Sequence, residues 1–156
     1  MGRSGYSEGG DLNNWDLIRW RGQVASAIRG KRGQAFLKEL LAALDALPEK
    51  RLVENELEAH GEVCTLGALG KARGIDMAKI DPEDRSTVAG TFGIAEPMAA
   101  EIMFENDGDF WWGNETPEQR FDRMRRWVVA SIKSPNPLSS PHDTQAERSS
   151  DVGTKT

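Results

Sequence analysis

The chain has 156 residues, 38% of them apolar and 29% charged, with a formal net charge of −5. That length supplies one domain with room for a core, and no apolar run approaches the roughly 18–20 residues that cross a membrane. One cysteine and two histidines exclude an internal disulfide and a structural zinc site built by this chain alone.

The opening "MGRSGYSEGG" is rich in glycine and serine and has no apolar stretch. It is therefore expected to be disordered over residues 1–10, with no secretory signal. Tyr6 stands where a myristoylation signal needs Ser or Thr. The protein reads as cytoplasmic.

A helical domain is expected over residues 11–134. Asn13 or Asn14 can cap a first helix with Leu17, Trp20, Val24 and Ile28 on one face, ended by Gly30. "GKRG" (30–33) reads as a turn. A second helix carries Phe36, Leu37, Leu40, Leu41, Leu44 and Leu47 and is closed by Pro48, the clearest amphipathic pattern in the chain. Residues 49–63 fit either a helical turn followed by an extended stretch, the preferred reading, or a hairpin turning at His60-Gly61. A short helix starts at Cys64 or Thr65 and ends at Gly74.

"DPED" (81–84) predicts a helix start with Asp81 as cap and Pro82 in the first turn. Gly93 ends that helix, and Pro97 opens another that runs to about Asn106. "TPEQ" (116–119) is a capping box leading into a last helix with Phe121, Met124, Trp127 or Val128, and Ile132 at helical spacing. From residue 135 the Pro/Ser-rich composition predicts a disordered tail to residue 156. The expected fold is all-α, about six helices, with at most one small β-hairpin.

Four stretches invite a functional reading. Cys64 at a helix start could be a thiolate nucleophile with His60 as its base. The glycines that follow it, Gly67, Gly70 and Gly74, instead favour a buried seam where two backbones pack closely. Residues 88–103 have the outline of a helix-turn-helix, yet the second helix presents Glu96, Glu101 and Glu105, which would repel a phosphate backbone. The loop "ENDGDFWWGNE" (105–115) clusters Phe110, Trp111 and Trp112 among Glu105, Asp107, Asp109 and Glu115. It lacks the later ligands of a calcium loop, so either the aromatics cover a core or they anchor a partner. "IRGKRGQ" (28–34) places Arg29, Lys31 and Arg32 at a helix end, where they complement its dipole or grip phosphates.

Charge is unevenly spread. Residues 75–119 hold two basic residues against eleven acidic ones, whereas residues 120–134 hold five basic against Asp122 alone. Two readings stay open: internal pairing of the acidic segment with the basic last helix, or an acidic face that meets a basic partner.

The stretches "RWRGQVASAIRGKRGQAFLKELLAALDALPEKRL" (19–52), "GEVCTLGALGKARGIDM" (61–77) and "ETPEQRFDRMRRW" (115–127) resemble an uncharacterised group of small proteins carried by temperate bacteriophages and prophages. The Cys-x-Leu-Gly-Ala-Leu, Asn-Asp and Thr-Pro-Glu pattern is also similar to a broader bacterial domain of unknown function. The resemblance implies a phage accessory protein, a class that includes counter-defence inhibitors such as anti-CRISPRs. On that basis the expected activity is inhibition of a host defence complex by protein–protein binding. The partner would be a host protein with a basic nucleic-acid-binding surface, met by Glu96, Glu101, Glu105, Asp107 and Asp109, with Trp111 and Trp112 as apolar anchors. The alternative is a nucleic-acid-binding regulator using Arg29, Lys31, Arg32, Arg123 and Arg126. A Cys64-based enzyme is the third reading. No cofactor, metal or membrane is expected, and direct nucleic-acid binding by so acidic a chain is not.

Overall fold

The computed structural model describes residues 3–5, 14–108 and 114–133. Asp109, Trp111 and Trp112 of the proposed contact loop, and the expected tail from 135, lie outside the described residues. Within them the chain forms six α-helices, one turn of 3-10 helix and one two-stranded hairpin, the all-α fold that the patterning predicts. No helix among the described residues is long and apolar enough to cross a membrane.

Helices α1 (Asn14–Arg29) and α2 (Lys31–Ala46) are separated only by Gly30, the N-cap of α2. The expected turn at 30–33 is thus a single residue. Arg29 closes α1 and favours its dipole, but Lys31 and Arg32 open α2, where the dipole opposes a cation. Helix α2 buries Phe36, Leu37, Leu40, Ala43 and Leu44 as its period requires. In α1 only Val24 is fully buried, and Leu17, expected inside, is 45% exposed.

After α2 the preferred helical turn gives way to the hairpin. Strands β1 (Glu58–Ala59) and β2 (Glu62–Val63) pair antiparallel, Glu58 with Val63 and Ala59 with Glu62. His60 and Gly61 form its two-residue turn with φ of 52° and 80°. Two successive left-handed residues match the twist of the flanking strands, which a helical turn here could not do. The ladder extends through Val53 N–H to Val63 O and Cys64 N–H to Leu57 O.

Helix α3 (Thr65–Ala72) follows with Cys64 as its N-cap. A Cβ on Gly67 would lie 2.0 Å from Leu57 O and 3.0 Å from the Val63 Cβ. Glycine is therefore what lets α3 rest directly on the hairpin backbone. After a 3-10 turn at Met77–Lys79, residues 81–84 form a tight turn with Glu83 N–H bonded to the Asp81 side chain. The helix cap is Asp84, not Asp81: its carboxylate accepts from Thr87 N–H, and α4 runs Arg85–Phe92. Gly93 ends α4 in the left-handed conformation, with Ile94 N–H returning to Ala89 O.

Helix α5 (Glu96–Asp107) is the axis of the fold. Met98, Ala99, Ala100, Glu101, Ile102 and Met103 are all buried in succession, so every side of the helix is covered. It packs against α1, α3, α4 and α6. A recognition helix must leave one face open to a groove, whereas the middle of α5 is covered all round. Helix α6 (Pro117–Ser131) starts with the expected capping box of Thr116 and Gln119 and buries Phe121, Met124 and Val128.

Among the helical glycines, Gly67 and Gly22 predict opposite responses to the same substitution. Gly67→Ala must push α3 off the hairpin and should cost about 1–3 kcal/mol. A Cβ on Gly22, in mid-α1, meets nothing within 4 Å, so Gly22→Ala should stabilise by up to about 1 kcal/mol. Denaturant melts of both variants measure the two signs; equal effects would contradict the packing described.

Candidate functional site

Among the described residues the most connected polar cluster lies at the C-terminal end of α5, around Asn106 and Asp107. A helix end leaves its last carbonyls unpaired, and here three arginines from distant parts of the sequence supply donors. Arg120 Nε bonds to Asn106 O at 3.0 Å and its Nη1 to Leu52 O at 3.2 Å. Arg123 Nη2 reaches Asn106 O at 3.2 Å, and its Nη1 bonds to Glu105 O. Arg3 clasps the Asp107 carboxylate with two parallel bonds of 2.8 and 2.9 Å, both side chains almost fully buried. Residues 3–5, expected as part of a disordered start, thus form a turn with Arg3 and Ser4 buried.

The same end ties in the hairpin and α3. Asn106 Oδ1 accepts from Thr65 N–H and Thr65 Oγ1, and its Nδ2 donates to Val53 O. Asp107 Oδ1 also accepts from Asn55 N–H and from Asn106 Nδ2. Burial alone would lower the Arg3 pKa, but the Cys64 sulfur and the Asp107 carboxylate outweigh it and raise the pKa above its ordinary value. Arg123 hydrogen bonds hold the Glu115 carboxyl below the usual carboxylate range.

Cys64 belongs to this cluster and not to a catalytic pair. Its Sγ accepts from Gly67 N–H at 3.4 Å and from Arg3 Nη1 at 3.8 Å, and the residue is 1% exposed. His60 sits exposed at the hairpin tip, four residues before Cys64, about 13 Å of extended chain at roughly 3.3 Å per residue. A base at that distance cannot take the thiol proton.

The proposed acidic face is mostly spoken for. Glu101 is buried and its carboxylate meets Arg21 Nη1 at 3.1 Å. Glu96 lies 3.5 Å from Arg85 Nη2, its side chain 44% exposed. Glu105 is half-buried, and burial, then the neighbouring Glu101 charge, raises its carboxyl pKa. Both carboxylate oxygens of Asp107 are engaged within the protein. Among the described residues no group of His, Cys, Asp or Glu is placed to hold a metal ion. Of the basic candidates, Arg123 is committed to Glu115 and the α5 end, and Arg126 Nε turns back to Asp122 O. Arg29, Lys31 and Arg32 stay exposed.

A surface that the sequence reading missed lies on α1. Trp15 is 73% exposed, Ile18 55% and Leu17 45%, and among the other large apolar side chains of the described residues only Val129 on α6 is similarly exposed. Trp15, Ile18, Arg19, Gly22 and Ser26 follow helical spacing along one stripe. Because Arg21 pairs with Glu101 and Ala27 lines a groove with Ala95, α1 and α5 run antiparallel. The exposed apolar end of α1 therefore lies beside the C-terminal end of α5, from which the chain continues into Phe110, Trp111 and Trp112. Reading Trp15 and Ile18 as the face opposite to Val24 would have found this surface.

The Arg3–Asp107 pair predicts an asymmetric cost. Arg3→Met strands a carboxylate on a helix that cannot withdraw, and should destabilise by about 3–5 kcal/mol. Asp107→Asn should cost less, because the terminal strand bearing Arg3 can release into water. Denaturant melts of the singles and the double close the cycle; an Arg3→Met loss below about 0.5 kcal/mol would contradict the clamp.

The chain matches no known protein family, no curated protein and no solved structure.

Proposed function

We propose that this protein works by binding another protein through the exposed face of α1, as an inhibitor of the phage counter-defence kind that its sequence resemblance suggests. The observation that carries the reading is the exposure of three large apolar side chains in the first turns of α1, Trp15, Leu17 and Ile18, where the other described helices expose only Val129 to a like degree. Exposed apolar clusters that include Trp are what interface anchors are made of.

The charge-mimic form of this reading, in which acids on α5 occupy a basic surface of a host defence complex, keeps less support. Glu101 and Asp107 are drawn into ion pairs with Arg21 and Arg3, leaving Glu96 and Glu105 as the partly accessible members. The anchor is thus better placed on α1 than on the acids. The nucleic-acid alternative retains Arg29, Lys31 and Arg32, all exposed, but loses Arg123 to internal pairing.

Trp15→Ala with Ile18→Ala should leave the melting temperature within about 2–3 °C, since both side chains are largely in water. The same double variant should lose the partner that the wild type captures from host lysate. Retained capture by the double variant would overturn the α1 reading. Binding of wild type to a bare DNA duplex, falling steeply with salt, would favour the regulator instead.

A further inference from the structure

The α1 stripe does not end at Ile18. Beyond it, Arg19, Gly22, Ser26 and Ala27 of α1 face Ala95 and Pro97 across a groove of about 530 Å³. Ser26, Ala27 and Ala95 also line an adjoining hollow of about 200 Å³, where Lys31 and Arg32 form the wall and Ile94 and Met98 the floor. The two make one trough along the outer side of α1.

Two local features of this trough go against the stability of the chain itself, and a third leaves its cations unanswered. Gly22 lies in mid-helix, has no left-handed φ and has open space where a Cβ would stand. It sacrifices up to about 1 kcal/mol of helix propensity with no internal contact in return. A glycine like that admits the close approach of something from outside. Lys31 and Arg32 open α2, which has no acidic residue in its first turn and no side-chain cap, so the helix dipole disfavours both. Arg19, Lys31 and Arg32 are exposed, and none makes an ion pair or hydrogen bond with another described residue. Departures from local rules that nothing inside compensates collect at functional sites.

The charged side chains that line the trough are basic, and the acid at its edge, Glu96 in the first turn of α5, faces Arg85. Its charged lining is Arg19, Lys31 and Arg32. Two helix starts without side-chain caps, Gly30 of α2 and Ala95 of α5, border it. The opposing pole, the carbonyl end of α1, is already occupied: Ser26 O accepts from Gly30 N–H and Ile28 O from Gln34 Nε2. The floor of Ala27, Ala95, Pro97, Ile94 and Met98 is apolar, which suits side chains better than a sugar–phosphate backbone.

From this we infer that the trough along Gly22 takes an acidic peptide segment of the partner, with small apolar side chains against Gly22 and Ser26 and carboxylates against Arg19, Lys31 and Arg32. The inference rests on the reading of α1 as the docking face and supplies the chemistry of what docks there. A helical segment suits the trough, because its backbone can approach α1 closely only where α1 offers Gly22 and Ser26.

The test uses a random peptide library displayed on particles and selected on the full-length protein. Peptides rich in Asp and Glu, interleaved with Ala, Gly or Ser, should be enriched. Synthetic copies should lose at least tenfold in affinity on Gly22→Leu, and as much on Lys31→Glu with Arg32→Glu, and should weaken with salt. Gly22→Leu is expected to fold, since its Cβ meets no neighbour; Gly22→Gln gives a second, polar obstruction with the same expected loss. Failure to enrich any peptide, or enrichment without acidic bias, would overturn the proposal, as would affinity unchanged in both Gly22 variants. Peptides that ignore Gly22 but are lost on Trp15→Ala would sink the trough while leaving the α1 docking face standing. Two further results would also overturn it: a wild-type dimer that Gly22→Leu converts to monomer, or a 20-base-pair DNA duplex that competes the peptides off at physiological salt.

Discussion

The rest of the structure depends on the burial of helix α5 through its middle, Met98 to Met103, and at its C-terminal end, Asn106 and Asp107. A helix covered on every side contributes its whole surface to the core, but it must also end inside the protein, where unpaired carbonyls and polar side chains are costly. The three arginines at Asn106 and Asp107 meet that cost. Arg120 and Arg123 come from α6 and Arg3 from the chain start, so the same contacts that satisfy the helix end fasten the last helix and the first residues onto the core. Thr65, Val53 and Asn55 add α3 and the hairpin to the same point. Long-range hydrogen bonds of this kind fix one arrangement among many that hydrophobic patterning alone would permit.

That arrangement decides which charges are available for anything else. The large negative charge of residues 75–119 looks like a surface when it is counted along the chain. In three dimensions Glu101, Asp107 and Glu115 face arginines, of which only those at Glu115 come from the last helix, whose Arg125 turns instead to Asp45 of α2. What is left over is α1, which packs on α5 and α2 through one side only. Its other side combines exposed apolar residues, a glycine with nothing above it and cations that no described carboxylate answers. Function is therefore sought on the helix that contributes least to the core.

Much of the fold was legible in the sequence because its signals are local. The leucine period of α2, the Thr116–Gln119 capping box and the glycine stop at Gly93 each depend on residues a few places apart, and each is found where expected. The packing role of Cys64 was likewise legible from the glycines after it. The failures have local causes too. At 81–84 two aspartates compete for one cap, and the Pro82 turn hands it to Asp84. At 49–63, where a hairpin and a helical turn both stood open, the His60-Gly61 turn signal decides for the hairpin over the helix-forming glutamates on either side. The arginine cluster was legible only as a possibility. Nothing near Arg3 in the sequence announces a partner 104 positions away, and pairing of that range is decided by topology. The exposed apolar end of α1 was missed because Leu17 and Trp20 were given to the same buried face as Val24, although no described element covers Leu17.

The central claim is that a rigid α5 core holds α1 up as the working surface. Hydrogen–deuterium exchange on the free protein and on its complex with the captured partner tests it most directly. In the free protein, amides of Ile102 and Met103 should exchange among the slowest, and on binding new protection should appear across residues 15–27 while the hairpin and α6 stay unchanged. Protection confined to the hairpin or α6, with residues 15–27 exchanging as before, would contradict the account.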